Sequence, residues 1–166
     1  MSSATRLQAT VLECLSEAQS GSPVDQQKAL QTLASITKIW KPSVSHLNSF
    51  LLAPSSPETS KLGSSLVCSL AMLDKNKAKF GIAGTVQLIV KAVSVSRSPA
   101  AHHLLPLAEL VQFHGNCTLA VPSGAVPVSL HVVESTDGED LAGTCLTILG
   151  LLSRFDEGLK SLMKTD

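Results

Sequence analysis

Leu70-Ala71-Met72-Leu73-Asp74-Lys75-Asn76-Lys77-Ala78-Lys79-Phe80-Gly81-Ile82-Ala83-Gly84-Thr85-Val86 decides the fold, because its second half returns 40 residues later as Asn116 to Val126. In both copies an Asn is followed four positions on by a helical site, eight on by Gly and ten on by Val. Gly84 and Gly124 each stand between two apolar stretches. Each is placed to end a short helix in a left-handed conformation and turn the chain. The next helices are then expected over Thr85 to Val95 and Ala125 to Val133.

The phrase that opens this stretch also recurs. Leu33-Ala34-Ser35-Ile36, Leu70-Ala71-Met72-Leu73, Leu110-Val111-Gln112-Phe113 and Leu152-Ser153-Arg154-Phe155 are 37, 40 and 42 residues apart. Three residues before them lie Leu30, Val67, Leu107 and Leu149, so the apolar sites form one face of a helix. Ser22-Pro23, Ser56-Pro57 and Ser98-Pro99 read as helix starts, with Ser as cap and Pro in the first turn. The fourth copy begins at Asp137-Gly138-Glu139-Asp140, where Asp137 or Asp140 is the expected cap. Gly158 takes the Asn position there. The first copy, around Trp40-Lys41-Pro42, is degenerate.

A period near 40 with helix, tight loop and helix in each unit predicts an all-α solenoid, since no unit that small buries its own apolar face. The sequence divides into an N-terminal capping helix over 1–21 and a repeat domain over 22–166. The units are about 22–55, 56–96, 97–136 and 137–166, the last one truncated.

Composition narrows the function. Apolar residues make up 44% and charged residues 16%, which excludes a disordered chain. Thirteen basic side chains balance thirteen acidic ones, so no strong field draws in nucleic acid or an anionic membrane. Lys75, Lys77 and Lys79 read as a solvated loop. The longest apolar stretch, Leu146 to Leu152, is far too short to span a bilayer. Cys14, Cys68, Cys117 and Cys145 form no CxxC pair and match no zinc spacing; buried reduced thiols are expected, in a cytoplasmic or nuclear setting. Asn116-Cys117-Thr118 spells a glycosylation acceptor, but no export signal precedes it. His102, His103 and His114 share a unit with Cys117, yet no catalytic phrase surrounds them. Glu134, Asp137, Glu139 and Asp140 lack the glycine spacing of a calcium loop, and Gly81 and Gly84 lack the Lys-Ser or Lys-Thr of a phosphate loop. No cofactor, metal or enzymatic activity is expected.

Leu70 to Gly84 resembles the phrase of armadillo repeats, and Asn116 to Pro127, with its Gly124-Ala125-Val126-Pro127, resembles it more closely. Leu151 to Gly158 is similar to the last repeats of plant U-box ubiquitin ligases. The resemblance covers 58–166 well and 22–57 poorly, and nothing here resembles a U-box. It implies a right-handed α-α superhelix of three to four repeats that binds a partner protein or peptide on its concave face. Its finer implication is the substrate-recognition part of a U-box-type ligase. In that family the third helices are expected to line the concave face, here Thr85–Val95 and Ala125–Ser135. Val86, Ile89, Val90 and Val93 then point inward, with Val126, Leu130 and Val133 as their counterparts. Gln87, Lys91, Ser94, Ser129, His131 and Glu134 are left as the partner-binding residues. The truncated last unit leaves Leu151, Leu159 and Leu162 uncapped, which favours a homodimer through that end, the reading of a self-associating structural protein.

Overall fold

A computed structural model describes residues 6, 9, 10, 13, 14, 16, 17, 22–25, 28, 29, 32, 44–51, 57–95 and 101–164. The chain divides into two compact units, Met1–Ser43 and Val44–Asp166. In the first, the described residues other than Ser22 are helical, and Cys14 and Ala29 are buried. Ser22 caps as expected: its Oγ accepts the Asp25 backbone N–H at 3.4 Å and donates to the Asp25 carboxylate at 2.5 Å. The first repeat phrase (33–36), Trp40 to Pro42, Ser56 and Ser98-Pro99 lie outside the described residues.

The second unit runs through α1 (Val44–Leu51), α2 (Pro57–Ala71), α3 (Asp74–Ile82), α4 (Thr85–Val95), α5 (Ala101–Leu110), α6 (His114–Ala120), α7 (Ala125–Ser135), α8 (Glu139–Leu152) and α9 (Asp156–Met163). No strand occurs among the described residues. The division between the units falls inside the predicted repeat 22–55. α1 belongs with the later helices because Leu47 and Leu51 are buried where α1 packs on α2 and α4. Asn48 adds a polar tie, donating to Ala83 O at 2.9 Å and accepting from Thr85 Oγ1 at 2.7 Å.

Three helices make each of the repeats α2–α4 and α5–α7, and the helices stack in ladders. α2, α5 and α8 form one ladder, α1, α4 and α7 another, and α3 packs on α6. The core lies between repeats. Leu66, Val67, Val86, Ile89, Val90, Leu104, Leu107, Leu110, Ile148 and Leu152 are all at most 2% exposed. Each such side chain contributes roughly 1.5–3 kcal/mol by leaving water.

The glycine turns form as read. Gly84 has φ +78° and Gly124 has φ +93°. The chain bends by 73° between α3 and α4 and by 78° between α6 and α7. The same bonds close both turns: Gly84 N–H to Gly81 O at 3.0 Å, and Gly124 N–H to Val121 O at 3.1 Å.

The recurring four-residue phrase behaves differently from its reading. Its last residue does not continue the helix face. Leu73, Phe113 and Phe155 are extended residues at the N-caps of α3, α6 and α9. The apolar spacing ran across a tight turn that simple periodicity cannot distinguish from a helix. At the fourth copy, Gly138 is the cap rather than Asp137 or Asp140, and its N–H bonds to Thr136 Oγ1 at 3.1 Å. Lys77 is not part of a solvated loop. It lies in α3 at 4% exposure, its ammonium donating to Asp74 at 2.6 Å.

The Asn of the motif ties repeats together. Asn76 Nδ2 donates back to Leu70 O at 3.1 Å. Asn116 does the same to Leu110 O at 2.9 Å and also reaches Lys77 O of the previous repeat at 2.9 Å. Asn116 is 1% exposed, and a Cβ on Gly81 would come within 2.0 Å of its Oδ1, so Gly81 is what lets it in. In the last repeat Gly158 replaces it, and a Cβ there would lie 2.0 Å from Leu152 O. Two substitutions, one removing the repeat residue and one restoring it, are both expected to destabilise. Asn116→Ala lowers stability by about 2 kcal/mol through the lost buried bonds. Gly158→Asn also lowers stability, because backbone occupies the space its side chain needs. Urea unfolding of both variants checks this, and a stabilised Gly158→Asn chain would contradict it.

Candidate functional site

The six residues singled out from the sequence divide by burial. Lys91, Ser94, His131 and Glu134 are exposed. They form two pairs at the repeat offset of 40, Lys91 with His131 and Ser94 with Glu134. Ser94 Oγ bonds within its own helix, to Lys91 O at 2.8 Å. Gln87 is half-buried, and its Oε1 is buried without a hydrogen-bond partner.

Ser129 is the clear correction, because it is fully buried and faces no groove. It stands 40 residues after Ile89, at a core position of α4. The inward face of α7 is Ala125, Val126, Ser129 and Val132, with Leu130 and Val133 only half-buried. α7 is thus turned relative to the stripe expected from Val126, Leu130 and Val133. A serine in the core gave the sequence pattern a polar position where the packing has an interior one.

The ladder α2–α5–α8 offers a second surface, which sequence reasoning missed. Its helices lie against one another more extensively than α1, α4 and α7 do. Along it, Cys68, Ala108 and Gly150 repeat at offsets of 40 and 42, and all three are small. They are flanked by Ser65, Leu105 and Thr147 on one side and by Ser69, Glu109 and Leu151 on the other. Ser69, Leu105, Thr147 and Gly150 are exposed and the others half-buried. A row of small side chains thus runs along the ladder, and a Cβ on Gly150 would meet nothing within 4 Å. Glu109 faces Cys68 closely enough for its charge, after burial, to raise the Cys68 thiol pKa. Lys61 is exposed toward the end of this ladder that His102 occupies, and, after burial, its charge lowers the His102 pKa. The small residues at every repeat were the available signal, but a run of small side chains also reads as tight helix packing.

Buried within the same ladder, His103 joins α5 to α2. Ser64 Oγ lies 2.6 Å from its Nδ1 and Ser60 Oγ 3.4 Å from its Nε2. Ser60 donates its own proton to Leu51 O at 3.3 Å. It therefore accepts from Nε2–H, and in the neutral ring Nδ1 accepts from Ser64. Burial, helped by the adjacent His102, pushes the His103 pKa down to about 4. With both ring nitrogens held and 4% of the residue exposed, the imidazole is a structural link.

Cys117 and His114 do not form a reactive pair. The His114 ring lies on Phe155, centroids 4.2 Å apart. The Cys117 thiol donates to Val111 O at 2.9 Å, and burial pushes its pKa up to about 11. Burial alone does the same to Cys145. Both remain protonated near neutral pH, which makes them poor nucleophiles. All four cysteines are free thiols. Among the described residues no group of three or more His, Cys, Asp or Glu is arranged to hold a metal ion. Among the same residues no single helix is long and apolar enough to cross a membrane.

No protein-family model matches the chain, and no curated protein sequence matches it. Its structure is similar to that of a designed armadillo repeat protein in complex with the peptide (KR)4. The TM-score is 0.68 at 16% sequence identity, over 93% of this chain and 69% of that one. The fold is therefore an armadillo-type all-α solenoid.

Two consequences can be measured. Ser129→Ala removes an unpartnered buried hydroxyl and is expected to stabilise the chain by about 1 kcal/mol. A lower melting temperature would mean that the hydroxyl is satisfied. His103 is depressed from 6.5 in the unfolded chain to about 4 when folded. Its stability contribution is present above pH 6.5 and is lost as pH falls toward 4, a change on the order of 3 kcal/mol. Urea midpoints across that window should fall, and fall less for His103→Gln. An equal fall in both chains would remove His103 as the cause.

Proposed function

We propose that this chain is a non-catalytic armadillo-type scaffold that holds an extended segment of a partner protein along the α2–α5–α8 trough. One observation carries the choice of face. A stack whose one ladder is packed closer than the opposite one bends toward the closer ladder. The closer packing of α2, α5 and α8 supports placing the concave side there rather than on α4 and α7. The small floor residues leave room for a peptide backbone, and Glu109 selects a basic side chain at mid-trough. The fold likeness to a protein solved with (KR)4 supports a peptide as the ligand class. The free thiols are consistent with a cytoplasmic or nuclear setting.

The ubiquitin-ligase reading is narrower and rests on the resemblance of Leu151 to Gly158 to plant U-box repeats. Co-purification with a ubiquitin-conjugating or ligating partner would support it.

A second reading, self-association, has its own observation. Leu146, Leu159 and Met163 are 58%, 46% and 73% exposed. Leu104 and Cys117, 42 residues before the first two, are covered by the following repeat and at most 1% exposed. The face of α8 and α9 is thus built like a surface between repeats. Sedimentation that shows a dimer abolished by Leu159→Glu would establish this use of it.

The trough is tested with labelled (KR)4 as the probe, in fluorescence anisotropy at low salt. Binding is expected to weaken at least tenfold on Glu109→Lys and to disappear on Ala108→Trp, which fills the floor. Lys91→Ala combined with His131→Ala should leave it unchanged. The opposite pattern would return the site to α4 and α7.

A further inference from the structure

The seams between short helices are not alike. At the seam of α3 and α6, Asn116 reaches across to Lys77 O and packs over Gly81. At the seam of α6 and α9, Gly158 stands in its place, 42 residues later, with no amide to reach across. The Leu152 carbonyl lies so near that a Cβ on Gly158 would be 2.0 Å from its oxygen and 2.7 Å from its carbon. The first turn of α9 has settled against the end of α8. α6 rests on α3 and α4, whereas α9 rests on α7.

What is left between α6 and the start of α9 is a cavity of about 220 Å³. It is lined by Cys117, Thr118, Val121, Pro122, Phe155 and Glu157. Cys117 and Val121 stand 40 residues after Lys77 and Gly81, the two residues that Asn116 meets at the earlier seam. The cavity thus opens where the cross-repeat amide has been deleted.

Its chemistry is specific. Phe155, Val121 and Pro122 supply apolar walls. The Cys117 thiol is engaged with Val111 O, and the Thr118 hydroxyl with Gly115 O at 2.7 Å. Glu157, exposed at the rim, is the one ionised group of the lining. Apolar cavities of roughly 150 Å³ hold a benzene ring. A ring therefore fits, and the carboxylate favours a cation beside it.

We propose that this cavity receives an aromatic side chain of a partner peptide, flanked by a basic residue that pairs with Glu157. The proposal rests on the scaffold reading only in taking a peptide as the occupant; the site is separate from the trough.

The test uses the full chain and the acetylated, amidated tripeptide Lys-Phe-Lys, followed by amide NMR shifts. Saturable shifts at 117–122 and 155–158 are expected, with millimolar affinity. Glu157→Gln should weaken binding roughly threefold to tenfold. Val121→Phe should abolish it, and Thr118→Phe at the mouth serves as a second block if the first variant does not fold. Ala108→Trp, in the trough, should change nothing. Absence of shifts, shifts that survive the filling variants, or equal binding of Lys-Ala-Lys would overturn the proposal. Loss of (KR)4 binding on Ala108→Trp with these shifts intact separates the trough from the cavity.

Discussion

No repeat of this chain can bury its own apolar face, and that constraint organises everything else. Leu104 and Leu107 on α5 lose their solvent exposure because α2 and α8 lie on either side. The stacking contact is therefore both the core and the source of the shape. Glycines at φ +78° and +93° return the chain to the stack after α3 and α6. Asn116 then sets the spacing between short helices, with Gly81 making room for it.

Function depends on where the stack leaves surface that the next repeat does not use. Along α2–α5–α8 the helices pack extensively, and Cys68, Ala108 and Gly150 set small side chains at matching positions of successive repeats. The proposed partner segment would lie along this row, beside the Glu109 carboxylate. The cavity beside Phe155 arises by the opposite route, from a seam that lost its clamp. One surface is thus produced by regular repetition and the other by a departure from it.

Much of the architecture was legible in the sequence. The helix Thr85–Val95 and the two glycine turns come from the Asn-to-Gly phrase, because Gly punctuates the chain more sharply than any apolar pattern. The face of α7 was not legible. Ser129 occupies the position of Ile89, and hydrophobic patterning has no means to place a buried serine. Lys77 misled in the same way, since its long stem is buried while only its head finds Asp74. The unequal packing of the ladders was not legible either. Curvature depends on how closely each ladder packs, a property of whole helices rather than of any residue.

The most direct test of the account is hydrogen exchange on the native chain, read segment by segment. In a stack held by neighbour contacts, protection tracks the number of flanking repeats. Slowest exchange is predicted in α5 around Leu104 to Leu110, which is covered on both sides, and fastest in α9, which rests on α7 with no described repeat beyond it. Equal protection in α5 and α9, lost in one cooperative step, would contradict a solenoid and point to a single closed core.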